Sequence, residues 1–500
     1  MELKDTGMSP SGPPTALFSM SNELILLIFE ELRLCDLALD DDQIKDWQLA
    51  AYKTLPILRL VCKRFNKLAT PIRYRNFTIH THSQIRARRS QAKSVRKRVA
   101  EDVKRSTEHA TVGGKINWHH VVRNHGSLPR LKTISWYFHA HSEDWVERNL
   151  YAIPASILRP GVTISISGTG HYHKFTSLVP PEHVSSLLLG YWHPSQPYEF
   201  EAHDAIDSEY NPKFKDYILR AKNLENLNYD LATVSSYLGG AAPKFPAFVA
   251  GEKLPALKSL VLTGYHWLHT KEEVKTSWNF SKLEHLDITG MNHDDFFKTV
   301  DARWIPNLRE LRLGTFVWRG PSILNRRGNQ IRLHHFLRKM PQLEVLSMNS
   351  YTDNFPLDIL MAMENLRVLE FTENVASQWE DGPPPRLNIQ DLEELLQYLP
   401  QLEHLHIDFE TWSGDFKRTF LDTVSQFPAL KHIHVNNHGC NKDPSDEFYN
   451  TLATRKLAPA KMIFIHYGQY VNAGVSGWYN CGKRRWERFT STLWLVAGQS

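Results

Sequence analysis

Long apolar runs are missing from this 500-residue chain: nowhere do about 18 apolar residues follow one another, so a membrane-spanning helix is not expected. Cysteine is scarce as well. The four present, Cys35, Cys62, Cys440 and Cys481, lie far apart with no CxxC and no paired zinc spacing. That excludes a disulfide scaffold and a zinc finger, and points to reduced thiols in the cytoplasm or nucleus. The segment before Phe18 carries Pro, Gly and Ser where a signal peptide needs an apolar centre, so residues 1–17 read as a disordered tail. P-loop, GxGxxG, GxSxG and HExxH motifs are absent, and no Cys stands beside a credible base. The chain therefore reads as a non-catalytic binding device without a cofactor.

Excess charge of one sign is also lacking overall, since 59 Lys+Arg stand against 54 Asp+Glu. The net of +5 is local. Residues 82–105 hold nine Lys/Arg against Glu101 and Asp102, a local net of +7. Ile85, Ala92, Val95, Val99 and Val103 recur beneath these charges near helical spacing, so residues 81–118 read as a basic linker helix. It has no interleaved aromatics for base stacking, and nucleic acid is not an expected partner.

What is present begins with Leu24–Phe29, six apolar residues opened by Ser21, a good N-cap type. At 100° per residue they cover a helix on every side, so one protein face cannot bury them all. A second helix is signalled by Thr54, Pro56 and a stop at Pro71, with Leu58, Val61, Cys62, Phe65, Leu68 and Ala69 at i, i+3, i+4, i+7 spacing. Between them lies an acidic insert, Asp40–Asp42 and Asp46, with Ile44, Trp47, Ala51 and Tyr52 spaced as a short helix. So small a helical unit, residues 18–80, is marginal alone, and its excess apolar surface calls for a partner.

The strings FSMSNELILLIFEEL and LPILRLVCKRFNKLATPIRYRNFTI resemble an F-box of the fungal type, with Ser21 where the family usually has Pro and a longer insert. That resemblance implies docking onto a Skp-family adaptor, and through it a cullin, by Leu24, Ile28, Phe29, Leu60, Val61, Cys62 and Phe65.

Behind the linker a frame L-x-x-L-x-[LIVMFY] repeats, anchored on Leu224, Leu257, Leu283, Leu308, Leu343, Leu366, Leu402 and Leu430. Weaker copies fit at residues 128–138, 183–192 and 460–467. The pattern resembles a degenerate leucine-rich-repeat solenoid. Its fold class is α/β, a helical module followed by a curved parallel sheet with helices on the convex side, over residues 119–467. Residues 468–500, with Trp478, Trp486 and Trp494, read as an end cap.

Alternation along each strand sends Leu402, Leu405 and Ile407 inward and displays the residues between them. The expected target-binding face therefore carries Glu310, Arg312, Glu370, His404, His406, Asp408, His432, His434 and Asn436, while earlier rungs display Asn226, Asn228 and Asp230, then Ser259, Val261 and Thr263, then His285, Asp287 and Thr289. Long loops at residues 266–278, 316–330 and 382–387 are a second candidate rim. Paired His on adjacent rungs raise the question of zinc, but polar sheet positions usually carry His without metal, and no metal is expected. The implied function is the substrate-recognition subunit of a Skp/cullin/F-box ubiquitin ligase holding a protein target. A ubiquitin-independent repeat scaffold is the alternative.

Overall fold

The computed structural model describes residues 20–38, 61–79, 93–113, 118, 121–122, 127–139, 153–169, 176, 178–190, 210–230, 248–265, 267–289, 293–314, 323–350, 356–373, 388–409, 419–420, 422–424, 426–437, 462–465, 476–480 and 485–489. The tail, the acidic insert, Leu60 and residues 382–387 lie outside these. The chain forms two units, residues 1–168 with 177–184, and residues 169–176 with 185–500.

In the first unit, helix α1 (Asn22–Ala38) pairs with α2 (Lys63–Arg75). Ser21 starts α1 as expected: its hydroxyl accepts from the Leu24 N–H at 3.4 Å, and its carbonyl accepts from Ile25 at 3.2 Å. Cys62 caps α2, its Sγ accepting from the Phe65 N–H at 3.4 Å. Contrary to the sequence expectation, Pro71 does not end this helix. It sits inside it, and the helix continues because Ile72 and Tyr74 beyond the proline are buried. Tertiary burial here outweighs the lost backbone hydrogen bond.

The strand ladder then starts at β1 (Asn76–Ile79), well ahead of residue 119. Helix α3 (Lys93–Ser106) leads to β2 (His109–Gly113), β3 (Thr133–His139) and β4 (Thr163–Thr169). The basic segment is thus in part a helix between two strands, anchored by Val103 and by Thr107, whose hydroxyl donates to the Tyr74 and Val103 carbonyls at 3.1 and 2.8 Å. Strands β1 to β4 lie side by side in chain order, and β1–β2 and β2–β3 are parallel.

The second unit continues the plan with β5 (Val184–Gly190), α4 (Tyr210–Arg220), β6 (Asn226–Asp230), β7 (Ser259–Thr263), α5 (Lys271–Ser277), β8 (His285–Thr289), α6 (His293–Thr299) and β9 (Glu310–Leu313). It proceeds through α7 (Ile323–Leu337), β10 (Val345–Ser350), α8 (Leu357–Leu360), β11 (Val368–Glu373), α9 (Ile389–Tyr398), β12 (His404–Phe409) and β13 (His432–Asn437). Strands β5 to β13 again follow chain order, and all the pairs from β5–β6 to β12–β13 are parallel. Among the described residues β1 to β13 and the helices between them make an α/β arrangement consistent with a repeat solenoid.

Register explains the frame. Leu227, Leu260, Leu286, Leu311, Leu346, Leu369, Leu405 and Ile433 align rung to rung in one buried row. Tyr229, Leu262, Ile288, Leu313, Met348, Phe371 and Ile407 form the next. The anchor leucines are buried from Leu224 to Leu402, and the N–H of each of Leu224, Leu283, Leu308, Leu343, Leu366 and Leu402 donates to a carbonyl three residues back. Leu430 is only half-buried.

Two sequence expectations change. The stretch at residues 460–467 is no further rung: β14 (Met462–Ile465) joins β15 (Ser476–Asn480) and β16 (Arg485–Phe489) in an antiparallel sheet. Residues 267–278 are no rim loop. They hold α5 and the buried rings of Trp267, His269 and Trp278, with Tyr265 Oη 2.7 Å from His269 Nε2. Of the second expected rim, residues 323–330 belong to α7 and residues 316–322 lie outside the described residues.

A feature invisible without register is the residue preceding each strand. From β6 to β13 these are Glu225, Lys258, Glu284, Arg309, Glu344, Arg367, Glu403 and Lys431, alternating in sign throughout. Each backbone N–H donates to the carbonyl of the residue before it in this series, from Lys258 onto Glu225 to Lys431 onto Glu403. Side chains pair across at 2.9 Å (Lys258–Glu225), 3.0 Å (Arg309–Glu344) and 3.2 Å (Arg367–Glu403), and Lys431 also pairs with Glu403. In the first unit Arg75, Glu108 and Lys132 repeat the alternation, with Lys132 2.7 Å from Glu108. Each exposed pair contributes little, about 0–1 kcal/mol. A rung out of order, however, would set like charges side by side.

Arg309→Glu puts three carboxylates on adjacent rungs. It is expected to lower stability by about 1 kcal/mol at low salt in urea denaturation, with most of the loss screened away in about 1 M salt. A loss indifferent to salt would show that packing, not charge, holds that position.

Candidate functional site

Two surfaces qualify, one on each unit. In the first, the unbroken apolar run of α1 is divided by helix geometry. Ile25 and Phe29, four residues apart, face α2 and form a core with Phe65, Ala69 and Ile72. The Phe29 and Phe65 rings meet edge to face, centroids 5.4 Å apart. Arg75 reaches Glu30 at 3.1 Å, and Arg64 donates to Asn22 Oδ1 at 2.9 Å and to the Met20 carbonyl at 2.6 Å. These contacts tie the start and middle of α1 to α2.

The other side of the run stays in solvent, with Leu24 51% exposed and Leu27 65%, and so does Val61, just ahead of α2, at 51%. This corrects the expected adaptor set. Phe29 and Phe65 are each 1% exposed, so they hold the helices to one another and are not open to a partner. Ile28 and Cys62 are half-buried against the same core. Leu60 lies outside the described residues. Leu27, which the sequence reading left out, is the most exposed member of the run. A helical wheel seeded on the Ile25/Phe29 pair would have found it.

In the second unit, the strand residues between the two buried rows form the polar face. One register row runs His285, Glu310, Val345, Val368, His404, His432. The next runs Asp287, Arg312, Ser347, Glu370, His406, His434. Asp408 and Asn436 pair in the third. Thus the expected target-binding residues fall into three aligned rows, and they fall on the side away from Leu405 and Ile407, which are buried. Asp408, His434 and Asn436 are placed by backbone register alone.

Charges on this face are coupled. His285 Nδ1 lies 2.8 Å from Glu310 Oε2, Arg312 Nε donates to Glu310 Oε1 at 2.6 Å, and Arg312 reaches across the Ser347 strand to Glu370 at 3.4 Å. The His285 hydrogen bond, then Arg312, hold the Glu310 carboxyl far below its ordinary value, at about 2. Asp287 goes the other way. Burial raises its pKa in spite of a 2.8 Å hydrogen bond from the Thr289 hydroxyl. That hydroxyl fits because Gly314 follows the neighbouring strand β9: a Cβ there would lie 2.3 Å from Thr289 Oγ1. His404 and His432 stack, centroids 4.3 Å apart, and burial lowers the His404 pKa.

Among the described residues no group of three or more His, Cys, Asp or Glu is disposed to hold a metal ion, and no helix is long and apolar enough to cross a membrane.

No protein-family model matches the chain. No curated protein matches it either. A crystal structure of a Bacteroides fragilis protein aligns with 48% of this chain and 74% of its own, at 18% identity and a TM-score of 0.27, too slight a likeness to define fold or function. The geometry of the two surfaces therefore carries the functional reading.

Two outcomes check these assignments. Phe29→Ala should cost about 3–5 kcal/mol of stability and Leu27→Ala less than about 0.5 kcal/mol in chemical denaturation. For the sheet face, stability should respond to pH with opposite signs. Glu310, with a depressed pKa, stabilises the fold above its unfolded value of 4.5 and loses that contribution as pH falls toward 2. The stability gap between wild type and Glu310→Gln should close over that window. Asp287, with a raised pKa, is a cost at neutral pH, so Asp287→Asn should raise the melting temperature at pH 7 and lose that advantage once acid protonates the wild-type carboxyl.

Proposed function

We propose that the chain is a non-catalytic substrate receptor of a Skp/cullin/F-box ubiquitin ligase, its helical module docking the adaptor and its leucine-rich-repeat sheet holding a protein target. The observation that carries this is the divided apolar run. A helix pair already closed by Ile25, Phe29, Phe65, Ala69 and Ile72 still leaves Leu24, Leu27 and Val61 in water. Burying such side chains in a partner gains about 1.5–3 kcal/mol each before association costs. They lie in the two segments whose residues resemble an F-box.

The polar sheet rows supply the second half of the reading, a broad surface of mixed charge suited to a protein rather than a lipid. With adaptor and target on one chain, a conjugating enzyme brought by the cullin meets target lysines at raised effective concentration. The chain forms and breaks no bond itself. The compartment that goes with such a role is the cytoplasm or nucleus.

Purified wild-type chain should retain a Skp adaptor on affinity capture. Leu24→Glu with Val61→Glu should lower that affinity at least about tenfold while leaving the melting temperature unchanged, since neither residue belongs to the core. Failure of the wild type to capture any Skp adaptor would remove the ligase reading and leave a repeat scaffold.

A further inference from the structure

We infer that the polar face of the second unit's sheet, around Asp287, Arg312 and Glu370, takes a cationic segment of the protein target; this rests on the receptor reading above.

The balance of charge points that way. Among the face residues with described side chains, Asp287, Glu310 and Glu370 stand against one fixed cation, Arg312. By strand position Asp230 and Asp408 add two more acids to the third row. An anionic ligand such as a phosphorylated segment would have to win Arg312 from two carboxylates, Glu310 at 2.6 Å and Glu370 at 3.4 Å. A cation competes only where Arg312 and His285 already hold a carboxylate. Glu310 is engaged on both oxygens, by His285 and Arg312, but Glu370 gives Arg312 only the longer contact, and Asp287 receives a hydrogen bond on Oδ1 from Thr289. Glu370 and Asp287 thus keep acceptor capacity for an incoming donor.

Burial adds a reason. Asp287 is a carboxylate held in a desolvated place with its pKa raised, a cost that a bound cation would offset. Beside the Glu370 strand, the stacked imidazoles of His404 and His432 offer a flat ring surface of the kind on which a guanidinium rests. Carboxylates next to a flat ring surface select arginine over a compact ammonium.

The test uses the purified full-length chain and two fluorescent peptides of equal length, one alternating Arg and Ser, the other Glu and Ser. Saturable binding of the arginine peptide, weakened at about 0.5 M salt and absent for the glutamate peptide, is the expected result. Asp287→Asn with Glu370→Gln should weaken it roughly tenfold. Glu344→Gln, in the residue series that precedes the strands and off the face, should not. No binding of the arginine peptide, equal binding of both peptides, or binding indifferent to the double substitution would overturn the proposal. Should the double variant unfold, Ser347→Cys carrying an environment-sensitive dye replaces it: a saturable signal with the arginine peptide supports the site, and no signal refutes it. Skp capture is measured on the same preparation. Capture without peptide binding defeats the cationic target alone, and peptide binding without capture keeps the face and defeats the ligase.

Discussion

The strand ladder of the second unit depends on one constraint, the in-register stacking of parallel rungs. A strand with its helix cannot bury its own apolar side, so each rung borrows its neighbours. Aligning Leu227 with Leu260, and so on to Ile433, closes a continuous core. The same alignment places His285 beside Glu310 and brings Arg312 within reach of Glu370. Shifting one strand by a single residue would send its leucines to water and its charges into the core. The alternating charges from Glu225 to Lys431 act against the same errors at the surface, with little energy in any one pair but a consistent sign rule along the whole series.

The first unit solves a different problem with the same residue types. Its helix pair has few contacts to spend, and it uses an i, i+4 aromatic and aliphatic pair on α1 against Phe65 and Ala69 on α2. The apolar residues left over then have no structural use among the described residues. A stability-driven design would have made Leu24, Leu27 and Val61 polar. Their retention is what links the packing of this unit to a proposed partner, just as the half-buried carboxylate of Asp287 links the sheet to a proposed ligand.

How much of this was legible beforehand follows from what each signal needs. The rungs anchored from Leu224 to Leu402 carry the full frame, and their inward and outward residues read correctly because period-2 alternation is a local property. Strands β1, β2 and β4 carry NFTI, HATVG and TISISGT without the leading L-x-x-L, so their place in the ladder was hidden. Pro71 looked like a stop because local propensity says nothing about Ile72 and Tyr74 being buried beyond it. Phe29 and Phe65 read as partner residues yet belong to the core, because an all-round apolar helix gives no direction until its neighbour is known. The ion pairs between rungs join residues about thirty positions apart, and only register brings them together.

The register itself can be tested by cysteine accessibility along β10 in otherwise native protein, substituting Val345, Leu346, Ser347 and Met348 one at a time and measuring the rate of thiol labelling. Rapid labelling at 345 and 347 with strong protection at 346 and 348 is the expected alternation. Protection at 345 and 347, or uniform rates along the strand, would contradict the rung register on which the polar face, its charge network and the proposed binding surface all rest.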